Sequence, residues 1–203
     1  MSSVSDDVMR VARLDDEARQ VVGALLLIRY CGWHGDPKFQ QWFGQARGAL
    51  AHASSAAHGV LRGESLDLDG LRSELDEALE SSDPDGPPFE AEITDHLVFA
   101  TEVLDFLDAL DDTEALTTAF ERADELAEAH DDMAKEELPA GHELASVGFL
   151  GREANAREAD SAVPLDSRAA LERSEEFADL YARVIGLSYS DEDAGMADPG
   201  VTD

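Results

Sequence analysis

The sequence predicts an all-α fold: a single-domain bundle of six or seven helices with an acidic outer surface. Three observations carry that prediction. Apolar residues recur three and four positions apart along most of the 203-residue chain, the period of one helix face. No segment sustains the apolar–polar alternation of a half-buried strand. Pro, Gly and paired Asp residues interrupt the periodic stretches at helix-length intervals. The domain is read as residues 13–187. Residues 1–12 carry no clear pattern and are expected to be mobile, and 188–203 read as a disordered acidic tail.

The first helix is predicted over Asp15–Cys31, capped by Asp15 or Asp16, whose carboxylate accepts from the free amides of the first turn. Val21, Val22, Leu25, Leu26 and Ile28 cover so much of its girth that it should be largely buried. Asp36-Pro37 is a start signal for the second helix, Pro37–Leu61. Its Ala, Ser and Gly content lets neighbouring backbones approach closely, which predicts a central position. Leu68, Leu71, Leu75 and Leu79 form a short third helix, and Ser81–Pro88 is the clearest break. The fourth helix, Phe89–Leu110, carries the stripe Ile93, Leu97, Ala100, Leu104 and Leu107. Thr113 is placed to cap the fifth, which runs to about Met133 with Leu116, Phe120, Ala123 and His130 in phase. Residues 142–163 read as a short helix and a loop. Asp166 or Ser167 caps the last helix, which ends at Leu187.

Charge is the strongest compositional signal. The chain has 46 acids and 15 bases, a net charge of −31. Residues 1–63 hold 6 acids and 7 bases, so the excess falls entirely after them. Direct binding to nucleic-acid backbones or anionic membranes needs clustered Lys and Arg and is therefore not expected. The longest apolar run, Val21–Ile28, is too short to span a bilayer. The acidic start offers no signal peptide, and a cytoplasmic location is expected. Lys is confined to Lys38 and Lys135 while Asp is abundant, the pattern of a protein adapted to a salt-rich interior.

No motif assigns chemistry. Bundle di-metal sites use Glu-x-x-His pairs, yet the residues three before the six histidines are Cys31, Ala49, Ser55, Ile93, Ala127 and Pro139. Glu92 and His96, one turn apart, could share a ligand but read first as a capping or surface pair. Cys31-x-x-His34 has zinc-like spacing without a second pair. Asp83-Pro-Asp85-Gly86 and Asp191-x-Asp193-x-Gly195 lack a full calcium-loop ligand set. His52 and His58 lie on different helix faces. Trp33, Phe39, Trp42 and Phe43 read as core, or as the wall of a small apolar pocket. No catalytic, cofactor-binding or metal residue is therefore assigned.

Several stretches carry a family resemblance: Arg13-Leu14 opening the first helix, Leu26-Leu27-Ile28-Arg29-Tyr30, the aromatic turn with Phe39, Leu71–Leu79, and Ile93–Leu107 followed by helix 114–130. Over roughly 13–187 the layout resembles the domain-of-unknown-function-416 family of uncharacterised helical proteins. The resemblance implies a cytoplasmic helical protein without an assigned activity. The family's Trp near the start of the first helix is missing here.

The expected function is a soluble, salt-adapted helical protein acting by protein interaction without catalysis. The alternative is an acidic immunity protein, or a DNA-mimic inhibitor of a basic toxin or nuclease. Its contact row would be Glu102, Asp105, Asp108, Asp111, Asp112, Glu121, Asp124, Glu125 and Glu128. The partners expected are a basic protein and, through the acid-free second helix, a second copy of the chain.

Overall fold

A computed structural model describes the backbone of residues 3–82, 88–136, 138, 141–162 and 165–188, and the side chains of all of these but 40–45 and 88–90. Among the described residues there are eight α-helices and no strand: α1 (Val4–Val11), α2 (Asp16–Cys31), α3 (Gln40–Leu61), α4 (Leu68–Ser81), α5 (Pro88–Asp108), α6 (Thr113–Glu136), α7 (Phe149–Asp160) and α8 (Ser167–Ser188). The all-α class is as expected; the number of helices is not six or seven. The added element is α1, within the segment without a clear pattern. Ser3 and Asp6 form a reciprocal capping box there, and Val8 and Val11 enter the core. Both calcium-like fragments and the tail from 189 onward lie outside the described residues, as do the side chains of Trp42 and Phe43.

Local chemistry sets the helix starts. Asp15 Oδ1 accepts from Ala18 N at 2.9 Å, and Asp166 Oδ1 from Ala169 N at 3.1 Å. Two caps differ from expectation. Asp36 does not open α3; its Oδ1 accepts from Lys38 N at 3.0 Å and starts a 3-10 turn, Pro37–Phe39, from which α3 continues. Asp112, not Thr113, caps α6, accepting from the amides of Glu114 and Ala115 at 2.8 and 3.1 Å. The start of α7 is capped across helices: Asp131 of α6 accepts from Phe149 N and Leu150 N at 2.7 and 3.1 Å. Gly148 precedes it in the left-handed region (φ 71°), a conformation that costs a side-chain-bearing residue.

One apolar cluster draws on all eight helices. α2 lies at its centre against α3, α5 and α8, and its residues 22–31 are all buried. α3 packs on α2, α4 and α5 through Ala46, Ala49, Leu50, Ala53 and Ala57, the central position its small residues predicted. α5 and α6 form a helical hairpin, and α6 carries α7 and α8 on its other side. Gly23 is the close approach of α2 to α5: a Cβ there would stand 2.6 Å from Leu107 Cδ2. Burying each large aliphatic or aromatic side chain contributes about 1.5–3 kcal/mol.

Candidate functional site

Two polar clusters are enclosed in this core. The first is ionic and centres on Arg29, which stands inside the apolar run of α2. Its Nη1 donates to both Glu153 carboxylate oxygens at 3.0 Å, and its Nη2 to Asp160 Oδ2 at 2.5 Å and Ser174 Oγ at 3.3 Å. Arg157 donates to Asp7 Oδ2 at 3.3 Å and Asp124 Oδ1 at 2.6 Å. Arg10 pairs with Asp7, and Arg173 donates to Asp160 Oδ1 at 2.6 Å. Tyr30 Oη lies 2.8 Å from the Ala123 carbonyl and 3.0 Å from Glu153 Oε2. Burial alone would favour the neutral guanidine of Arg29, but Glu153 and Asp160 outweigh it and hold the charge more firmly than usual. Four guanidinium groups meet four carboxylates, so the cluster is neutral as a whole, and it joins α1, α2, α6, α7 and α8.

The second cluster lies on the other side of the Tyr30, Phe177 and Tyr181 rings, which contact one another. His96 of α5 and His130 of α6 are fully buried, and Glu92 of α5 is 10 % exposed. His96 Nδ1 lies 2.8 Å from the Glu92 carbonyl, and His130 Nδ1 lies 3.1 Å from the Leu126 carbonyl. A carbonyl accepts only, so each Nδ1 carries the proton and each Nε2 keeps a lone pair. Neither Nε2 makes a hydrogen bond among the described residues. Glu92 Oε1 is the point of convergence. Tyr181 Oη donates to it at 3.3 Å, His130 Nε2 stands 3.4 Å away and His96 Nδ1 3.6 Å away. Tyr181 also stacks on the His130 ring. His34 joins at the edge, its ring 5.3 Å from that of His96 and stacked on Trp33.

Burial governs the protonation of this cluster. It pushes the Glu92 carboxyl up to about 8, with Asp95 adding repulsion. It pulls His96 down to about 4, against the hydrogen bond to the Glu92 carbonyl. His34 and His130 are also held well below the usual histidine range by burial, reinforced by the neighbouring His96. At neutral pH the cluster therefore consists of neutral imidazoles around a protonated carboxyl. Among the described residues, no three His, Cys, Asp or Glu side chains converge as a metal shell.

Trp33 packs on His34 and His96 at the edge of this cluster. On its far side is an open cleft of about 490 Å³, lined by Trp33, Asp36, Ser54, His58, Glu175 and Asp179 among others. The cleft is where the Trp33 end was expected to offer a pocket, but its rim is polar and acidic. Cys31 is buried behind it with its thiol pushed up by burial, so Cys31-x-x-His34 presents no exposed nucleophile. His52 and His58 lie near the surface beside Glu74 and Glu175, at 2.7 and 3.3 Å.

The acidic row of α5 and α6 is not uniformly free. Glu102 and Glu125 pair with Arg122, while Asp105 and Asp108 pair with Arg72. Asp112 is spent on its cap and Asp124 turns inward to Arg157. Asp111, Glu121 and Glu128 are exposed and make no ion pair among the described residues. Among the α3 residues whose side chains are described, Gly48, His52 and Ser55 form an exposed strip. The buried pairing of Glu92 with His96 differs from the surface pair expected.

The sequence reading missed both clusters for one reason: polar residues occupy core positions of helices. In α7, Phe149, Glu153, Arg157 and Asp160 follow the helical period and face inward, so a hydropathy pattern finds no stripe. The available signal was alternating charge at that period, together with a lone Arg inside the apolar run of α2. No helix among the described residues is long and apolar enough to cross a membrane. Comparison with protein-family models, curated proteins and solved structures finds no match for this chain.

Proposed function

We propose that the chain is a salt-adapted helical protein that acts by contact with other proteins and has no catalysis of its own. One observation carries this reading. Among the described residues, every Lys and Arg except Arg13 and Arg47 has a carboxylate within 4.0 Å. The few cations are thus committed inside the molecule, while carboxylates such as Asp69, Asp76, Glu77, Asp111, Glu121, Glu128 and Glu172 face outward. Such a surface must be balanced by cations from solution, and any partner it attracts electrostatically is basic. Concentrated salt screens its self-repulsion to within about 3 Å at 1 M. A cytoplasmic location, the kinship suggested by the resemblance above, and self-association along the α3 strip belong to the same proposal.

The second reading is the inhibitor of a basic toxin or nuclease. It draws support from the same exposed carboxylates, but six of the nine row residues are already engaged within the chain. Affinity capture from source lysate separates the two. Salt adaptation with general contacts predicts partners that persist at molar salt, whereas a dedicated basic partner would be recovered at low salt and lost when Asp111, Glu121 and Glu128 are changed together to Asn or Gln. Recovery of no protein at either salt would refute both.

A further inference from the structure

The contact between Glu92 Oε1 and His130 Nε2 carries a demand of its own. His130 Nδ1–H is held by the Leu126 carbonyl, so the Nε2 that faces Glu92 at 3.4 Å is a lone pair. An ionised carboxylate there would set two acceptors against each other in a dry core, which is costly. A cation between them removes the conflict. No third ligand converges among the described residues, so the cation that fits is a proton. A protonated Oε1 donates to His130 Nε2 and still accepts from Tyr181 Oη.

We propose that Glu92, His130 and Tyr181 form a pH-sensitive lock inside the bundle, in which one proton on the Glu92–His130 pair joins α5 to α6 and α8, and loss of that proton weakens the joint. On α5 itself, Asp95 repels the Glu92 charge and His96 Nδ1 stands 3.6 Å from Glu92 Oε1. α6 presents His130 and α8 presents Tyr181. The 3-10 turn after α2 brings His34 against His96, and Arg47 of α3 is the cation acting on His34. From α2, Tyr30 meets the lock through the edge of the Tyr181 ring, while its hydroxyl turns to Ala123 and Glu153. Arg72 of α4 pairs with Asp105 and Asp108, more than three turns further along α5. No described cation therefore pairs with Glu92 when its proton leaves.

The sign follows from linkage. The folded carboxyl keeps its proton up to about 8 while the unfolded one releases it near 4.5. The contribution of Glu92 to folding stability thus falls as pH rises through that window and levels off above it. His34, His96 and His130 are held neutral and oppose this around and below their unfolded value of 6.5, so the lock is read as the difference between the wild type and a variant that cannot ionise at residue 92.

The test is denaturant unfolding of the full chain at constant high salt, from pH 6 to 9.5, for the wild type and Glu92→Gln. The Gln amide still donates to His130 but cannot ionise. Relative to Glu92→Gln, the wild-type unfolding constant should rise about tenfold per pH unit up to about 8 and then level off, because the histidines and the Cys31 thiol titrate alike in both proteins. Glu92→Gln should keep the histidine and thiol dependence and lose only the part due to the carboxyl. Infrared difference spectra of the wild type should show a protonated carboxyl that titrates over the same range, a readout that needs no folded variant. Parallel pH profiles for the two proteins would overturn the proposal, as would a wild-type spectrum with no protonated carboxyl at pH 7. Zinc binding to the wild type that Glu92→Gln abolishes would also overturn it, by putting a metal where the proton is assigned.

Discussion

Replacing Arg29 by Met tests how the ionic core is organised. Met is unbranched and of similar reach, so it fills the space left by the guanidinium while removing its charge. Glu153 then loses both 3.0 Å contacts and keeps Tyr30 and Arg157, and Asp160 loses its 2.5 Å contact and keeps Arg173. The core is left with one carboxylate too many. Breaking a buried pair from one side costs about 3–5 kcal/mol. At about 2–4 °C per kcal/mol for a chain of this size, the melting temperature should fall by about 6–20 °C. Denaturant and thermal unfolding at molar salt provide the assay, since solution ions do not reach a pair this deeply buried. Arg29→Met with Glu153→Gln should recover part of the loss, because the uncompensated charge goes with it. A cost below about 1 kcal/mol would refute the reasoning, as would a cost that disappears as salt rises.

Further outcomes are expected elsewhere. Asp112→Ala should cost about 1 kcal/mol in urea unfolding, whereas Thr113→Ala should cost clearly less, since Asp112 holds both amides. Gly23→Ala should destabilise by about 1–3 kcal/mol, because the new Cβ meets Leu107 and α2 and α5 must part or Leu107 must change rotamer. On the acid side, His34, His96 and His130 are held neutral in the fold, so the unfolded chain binds more protons below 6.5. His96 should remove about 1.4 kcal/mol of stability per pH unit as pH falls below 6.5 toward 4, and His34 and His130 act in the same direction. A melting temperature constant from pH 6.5 to 5 would contradict that.

The sequence was most legible where apolar residues alone determine burial. The stripes of α5 and α6 and the small residues of α3 placed those helices correctly. It was least legible where the core is polar. Arg29, Glu153, Arg157 and Asp160 occupy inward positions that a hydropathy pattern assigns to solvent, and their partners lie far away in sequence. Glu92 reads as a surface acid until α6 and α8 close over it with His130 and Tyr181. Adjoining cap candidates could not be separated by sequence: geometry chose Asp15 over Asp16 and Asp166 over Ser167, and it moved the α6 cap from the expected Thr113 to Asp112. The net charge of −31 looked like a property of the whole molecule. Among the described residues, four guanidiniums and four carboxylates meet in the core, while Asp69, Asp76, Glu77, Asp111, Glu121 and Glu128 are exposed.

The demand of these exposed carboxylates for cations from solution is the central claim, and salt titration of stability tests it most directly. The measurement is the unfolding free energy of the full chain from about 0.1 M to above about 1 M KCl, at a fixed pH near 6.5, where screening contracts from about 10 Å to about 3 Å. The account predicts a steep rise in stability with salt, with the cost of Arg29→Met unchanged across the series. A flat or falling dependence would contradict it, because the outward carboxylates would then need no cations from solution.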